Sequence, residues 1–239
     1  MTIRELEYSV GGKSFVGHLA GAEAAQGRGP RPGVLVCHDA GGLREHAKER
    51  ANRLAELGYV AFALDLFGEP IRGVEHAQAT IAALTNDRAT LQARLSAGLA
   101  ALKSLTQVDA TRTAAIGFCF GGMAALELAR SGAELGCAVA FHGLLSTATP
   151  DDTRRIQAKV LACVGARDPL IPASQRDSFL SEMTGNNVDF QLLVLNAVHG
   201  FTDPSVDSHG VWALAYDQRA DRRSWRAMLD LFDEVFGAA

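Results

Sequence analysis

The chain has 239 residues, 48% of them hydrophobic and 21% charged, with a formal net charge of −4. That length suits one α/β domain or two small ones with a sizeable core. The acidic balance leaves no Lys/Arg block for a phosphate backbone, so nucleic acid is not an expected partner. No stretch reaches the roughly 20 apolar residues of a membrane span.

The opening, Met1 to Glu7, carries Glu5 and Glu7 where an export signal needs a basic segment followed by an apolar one, which places the expectation in the cytoplasm. Residues 3–10 and 14–20 have strand character around Gly11-Gly12, a hairpin signal for an antiparallel pair. A Gly/Ala/Pro-rich loop follows from Gly21 to Pro32, and Gly33 to Cys37 then reads as a short buried strand. It runs into His38-Asp39-Ala40-Gly41-Gly42. From Arg44 to Leu57 apolar residues recur at helical spacing up to Gly58, a helix stop.

Val60 to Leu64 is the next predicted strand, followed by the loop Asp65 to Pro70. Residues from Val74 to Leu105 read as helix, broken near Thr85-Asn86-Asp87, where Asn or Asp can cap a second segment. Ala114 to Gly117 reads as strand, turns on Cys119, and continues as helix from Met123 to Ala129. Strands at Cys137 to Phe141, Val160 to Val164 and Val188 to Leu195 alternate with helices at Ala173 to Thr184 and Arg222 to Phe236. Such alternation predicts an α/β fold with a mostly parallel central sheet, helices on both faces and an antiparallel N-terminal hairpin. No repeat, long linker or low-complexity block divides the chain, so residues 1–239 are read as one domain.

Of the four cysteines, Cys37, Cys137 and Cys163 sit inside apolar runs and read as core residues, whereas Cys119 sits alone at a Gly-rich turn. No C-x-x-C exists, so a zinc ribbon or dithiol redox pair is not indicated, and reduced thiols are expected. Gly117-Phe118-Cys119-Phe120-Gly121 is G-x-C-x-G, the nucleophile-elbow pattern with sulfur in place of the usual hydroxyl. The flanking glycines fit a turn where strand and helix approach too closely for a Cβ atom. The turn lifts the thiol clear of the backbone and aims the Phe120 N–H at a developing oxyanion.

Functional residues of such a sheet belong on loops after strand ends. After Val164 that loop carries Asp168, and after Leu195 it carries His199, giving the order nucleophile, acid, histidine used by α/β-hydrolases. His199 is expected to take the thiol proton and pass it to the leaving group, with Asp168 holding the ring's tautomer. An imidazolium beside a thiol favours the thiolate. The loop after the third strand is expected to supply a second oxyanion donor, the Ala40 N–H, while capping of the next helix is the plainer role for Asp39.

These residues resemble the dienelactone hydrolases, α/β-hydrolases with a Cys, Asp, His triad. Gly117 to Gly122 is similar to their nucleophile motif, Gly165-x-x-Asp168-x-x-Ile171-Pro172 to their acid loop and His199-Gly200-Phe201 to their histidine loop. The resemblance covers nearly the whole chain and implies hydrolysis of lactones or esters through a thioacyl-enzyme, with no metal and no organic cofactor. It also implies that Asp39 holds the resting thiol proton, where the enzymes acting on dienelactone itself usually have Glu. Those enzymes carry an Arg shortly after the histidine to grip a substrate carboxylate. Here Thr202-Asp203 follow Phe201, so the match does not extend to dienelactone itself. Arg72 is a candidate positive charge or a solvated surface residue, and Phe67, Phe118, Phe120 and Phe201 are candidates for an apolar pocket or for core packing.

Other chemistries fit less well. Cys-x5-Arg phosphatases need Arg where Ala125 stands, no Gly-Lys-Ser/Thr follows the glycines, and the remaining histidines show no ligand spacing. The same triad allows attack on a neutral phosphotriester, and a non-catalytic binder on this fold is the alternative from another class. The expected partner is a small ester, lactone or phosphotriester.

Overall fold

The computed structural model describes residues 2–23, 29–209 and 211–237; part of the Gly21 to Pro32 loop therefore lies outside the described residues. The strands are β1 (Ile3–Val10), β2 (Lys13–Ala20), β3 (Arg31–Cys37), β4 (Val60–Leu64), β5 (Val108–Phe118), β6 (Cys137–Phe141), β7 (Lys159–Gly165) and β8 (Phe190–Leu195). They form one sheet in the order β1-β2-β4-β3-β5-β6-β7-β8. β1 with β2 and β2 with β4 are antiparallel, and every pair from β4 onward is parallel.

The helices are α1 (Glu45–Glu56), α2 (Val74–Asn86), α3 (Arg88–Lys103), α4 (Phe120–Arg130), α5 (Ala173–Gly185) and α6 (Gln218–Phe236). The break expected near Thr85-Asn86-Asp87 is present: Asp87 caps α3 by accepting the Thr90 N–H at 3.1 Å. α6 begins earlier than its apolar spacing suggests, because Asp217 accepts from the N–H groups of Arg219 and Ala220 and satisfies two open donors. β5 starts six residues before Ala114. Its polar Asp109-Ala110-Thr111-Arg112 entry carries no strand pattern, yet Arg31 pairs with Val108 across a register irregularity at Pro32/Gly33. Short 3₁₀ turns at Pro150–Arg155 and Pro204–His209 have no apolar periodicity to announce them.

The central strands read as unbroken apolar runs because both faces of the sheet are covered. Leu35, Cys37, Phe62 and Leu64 face a layer that includes Leu91, Leu95 and Leu99 of α3 and Leu128 of α4. Val34, Val36, Ala61 and Ala63 face Ala51 and Leu54 of α1 and Trp225, Met228 and Phe232 of α6. Ala140, Val160, Ala162 and Val164 pack on Phe179 and Met183 of α5. Each fully buried large side chain contributes about 1.5–3 kcal/mol.

Register brings the site together. Cys37 pairs with Gly117, Phe118 with Phe141, Phe141 with Cys163, and Gly165 with Leu195. The chain segments that leave β3, β5, β6, β7 and β8 therefore emerge along one rim. α4, which follows the elbow, is anchored from behind by the fully buried Arg130. Its guanidinium bonds Glu127 at 3.0 Å, Glu182 of α5 at 2.9 Å and the Leu145 carbonyl at 3.0 Å.

Candidate active site

Cys119 sits between β5 and α4 with φ 53° and ψ −117°, a left-handed backbone that a non-glycine residue seldom adopts. Its N–H donates to the Phe141 carbonyl at 3.0 Å. The glycines on either side are required sterically: a Cβ on Gly117 would strike the Gly121 carbonyl, and one on Gly121 would strike the Cys37 carbonyl. Cys119 is half-buried, while Cys37, Cys137 and Cys163 are fully buried. Burial pushes the Cys37 thiol up to about 12 and raises those of Cys137 and Cys163 further.

Asp168 and His199 lie on adjacent strand exits stitched together by backbone bonds. The Ala166 N–H donates to the Leu195 carbonyl at 2.6 Å and the Arg167 N–H to the Ala197 carbonyl at 3.0 Å. His199 Nδ1 donates to Asp168 Oδ2 at 2.7 Å, and the other carboxylate oxygen accepts the Leu170 N–H at 2.9 Å. Both residues are buried. Among the described residues His199 Nε2 has no nitrogen or oxygen partner, and the group beside it is the Cys119 sulfur. Burial opposes protonation of His199, but the Asp168 carboxylate and the Cys119 sulfur outweigh it and raise its pKa to about 10. The arrangement thus favours the imidazolium form of His199 beside the Cys119 sulfur.

The loop after β3 lies against the first turn of α4, since Gly121 packs on the carbonyls of Cys37 and His38. The N–H groups of Ala40 and Phe120 are the expected oxyanion donors, and neither is used in another hydrogen bond among the described residues. His38 holds this loop: its Nδ1–H donates to the Asp39 carbonyl at 2.7 Å and its Nε2 accepts the Leu66 N–H at 3.0 Å. Burial keeps His38 neutral by lowering its pKa.

Asp39 does not cap α1, whose cap position is Arg44 without a side-chain bond. Its carboxylate accepts the Gly41 N–H at 2.6 Å and faces His46 Nδ1 at 3.8 Å, making no hydrogen bond to Cys119 among the described residues. Asp39, His46 and Asp203 bring donor atoms within 4.8 Å of one another. As a cation seat this group is compromised. Arg50 directs its Nε at His46 Nε2, 3.4 Å away, and Asp203 already accepts from the Ser205 N–H and hydroxyl.

The candidate aromatic residues are all buried. Phe67 and Phe120 pack together at 5.4 Å on the α4 face, with His38 edge-on to Phe67 at 4.6 Å. Phe118 stacks on Phe141 at 5.0 Å and Phe201 packs on His142 at 5.0 Å, so both are placed by core packing. Arg72 is exposed, and its side chain makes no ion pair among the described residues. A cleft of about 500 Å³ opens beside Gly41 and Gly42, lined also by Phe15, Asp65 and Ile71.

One support of His199 has no sequence signal. Residues 213–215 run alongside it as a one-residue parallel bridge: the His199 N–H donates to the Ala213 carbonyl at 3.1 Å and the Ala215 N–H to the His199 carbonyl at 3.2 Å.

A thiol on a strained strand-to-helix turn, a His–Asp pair on later strand exits and a mostly parallel eight-stranded sheet define a hydrolase of the α/β-hydrolase class. The chain matches the dienelactone hydrolase family over residues 16–236. It belongs to that family, and with it to the hydrolases that act on esters or lactones.

Two solved structures resemble it closely. One, described as m3DLH, is 47% identical with a TM-score of 0.93, each chain being 98% covered. The other, a dienelactone hydrolase-like promiscuous phosphotriesterase, P91, from metagenomic libraries, is 45% identical with a TM-score of 0.91 and the same coverage. A protein of Methylorubrum extorquens assigned as a carboxymethylenebutenolidase is 27% identical, over 88% of this chain and 74% of its own.

Proposed function

We propose that this chain cleaves carboxylic esters or lactones with Cys119 as nucleophile, His199 as general base and acid, and Asp168 as its orienting partner. The observation that carries this reading is the 2.7 Å Asp168–His199 bond beside a half-buried thiol held at positive φ. The Cys119 thiolate attacks the carbonyl carbon, a C–S bond forms, and the C=O π pair moves onto oxygen, where the Ala40 and Phe120 N–H groups receive it. Collapse breaks the bond to the leaving alkoxide, which takes the proton from His199 Nε2. Water then gives a proton to His199 as its oxygen adds to the thioester, and the thiolate leaves, regenerating the starting state.

Attack on phosphorus by the same thiolate is the second reading, favoured by the 45% identity to the promiscuous phosphotriesterase. Matching across residues 16–236 supports reading the chain as one catalytic domain. Four free cysteines suit a reducing compartment such as the cytoplasm. The test compares initial rates on a nitrophenyl carboxyl ester and a nitrophenyl phosphotriester, for the protein and for Cys119→Ala. Ester cleavage lost in the variant is the expected result, and the phosphotriester column reports how far the site extends to phosphorus. Equal cleavage by both proteins would overturn Cys119 as the nucleophile, and no cleavage by either would overturn the proposal in favour of a binder.

A further inference from the structure

Phe141 and His142 end β6 at the centre of the rim, and contacts from this pair reach every chain segment that bears a candidate catalytic residue. The Phe141 carbonyl accepts the Cys119 N–H at 3.0 Å. The His142 N–H donates at 2.8 Å to the carbonyl of Cys163, on the strand that leads to Asp168. The His142 ring stands 5.1 Å from that of His199 at an interplanar angle of 68°, and its Nε2 lies 2.8 Å from Thr202 Oγ1, three residues beyond His199. Phe201 closes a further side of the ring at 5.0 Å.

His142 is 2% exposed and has φ 41°, in the left-handed region, although it is not glycine. A non-glycine residue is disfavoured there and persists only where its surroundings compensate. What the imidazole gains is contact with the histidine loop, since its Nδ1 has no partner among the described residues. The charged and titratable groups around it are His199 on the β8 exit and His46 and Arg50 on α1. Burial, His199 and these two α1 groups hold the His142 pKa well below its ordinary value. It therefore adds no charge beside the His199 imidazolium.

We propose that His142 is a positioning residue for His199, its ring and its Thr202 hydrogen bond pinning the histidine loop so that Nε2 stays aimed at Cys119. This inference rests on the proposed use of His199 as general base and acid.

Because glycine and asparagine accept a left-handed backbone, His142→Gly and His142→Asn remove the ring without asking the main chain to move, while His142→Phe keeps the ring and loses the bond to Thr202. The readouts are kcat and KM on the nitrophenyl ester and the pH dependence of Cys119 alkylation by iodoacetamide. The Gly and Asn variants are expected to lose about 10- to 100-fold in kcat with KM within about twofold, as for a catalytic group displaced by about 1 Å. Their alkylation profile moves to higher pH because a loosened imidazolium holds the thiolate less well, and the Phe variant recovers part of both.

A folded Asn variant whose kcat and alkylation profile match the parent would overturn the inference. In the unaltered protein, a nuclear Overhauser contact between the two imidazoles is expected, and its absence would overturn it even if every variant unfolded. If ester turnover proves independent of Cys119, the proposed function fails while the alkylation profile and the ring contact still decide whether His142 orients His199.

Discussion

Cys163 and Cys119 belong to neighbouring parts of the same sheet yet differ in nearly every respect that governs sulfur chemistry. Cys163 lies within β7, fully buried, and burial raises its pKa so that it remains a thiol. Cys119 lies one residue past the end of β5, half-buried at positive φ, with His199 beside it. The apolar interior makes the thiol a small packing group, and the strand exits suit it to the nucleophile's role proposed for it. Position along the strand decides reactivity here, because only beyond the strand end do loops from other strands converge.

The largest expected effect breaks one side of that contrast: Cys119→Ala reduces ester turnover by at least about 10³-fold while circular dichroism and Tm stay near those of the parent. Asp168→Asn leaves the thiol and turn in place but removes the charge that orients His199, and steady-state kinetics should show kcat down by about 10³- to 10⁴-fold.

Gly121→Ala tests the elbow itself. Its Cβ has nowhere to go against the Cys37 carbonyl, so a loss of about 1–3 kcal/mol is expected, read as a fall in Tm. A second effect on stability depends on pH. The fold raises the His199 pKa from 6.5 to about 10, so the stability it contributes is complete below pH 6.5 and is lost as pH climbs through about 10. Thermal scans should show this alkaline decline, and Cys119→Ala, which removes one of its causes, should flatten it. The smallest effect belongs to the other side of the comparison: Cys163→Ala costs about 1 kcal/mol of stability and leaves kcat within about twofold. A large loss of turnover in that variant would erase the distinction between interior and rim.

Legibility followed the strength of local signals. Gly117-Phe118-Cys119-Phe120-Gly121 announced the elbow because the glycines are a steric requirement of the turn itself. Asp87 announced a helix start by its side chain, and the apolar strands were legible because both faces of the sheet are buried. The entry of β5 was not legible, since Val108 and Asp109 pair with Arg31 and Pro32 ahead of a register irregularity, on a polar sequence where the Asp109 carboxylate accepts the Thr111 N–H. Nor was the turning of Asp39 toward Gly41 and His46, which depends on where α1 begins relative to the β3 exit.

By itself, the sequence determined which residues are chemically able to act: one thiol between close-packed glycines, one carboxylate and one imidazole on later strand exits, in hydrolase order. Only the tertiary structure decided which of them meet. The Asp168–His199 bond, the bridge from residues 213–215 and the seat of His142 against His199 all join residues on separate chain segments. Such contacts are set by the register of β5 to β8 and the packing of the loops that leave them. No local pattern encodes them, because each is a relation between segments that become neighbours only when the sheet has formed.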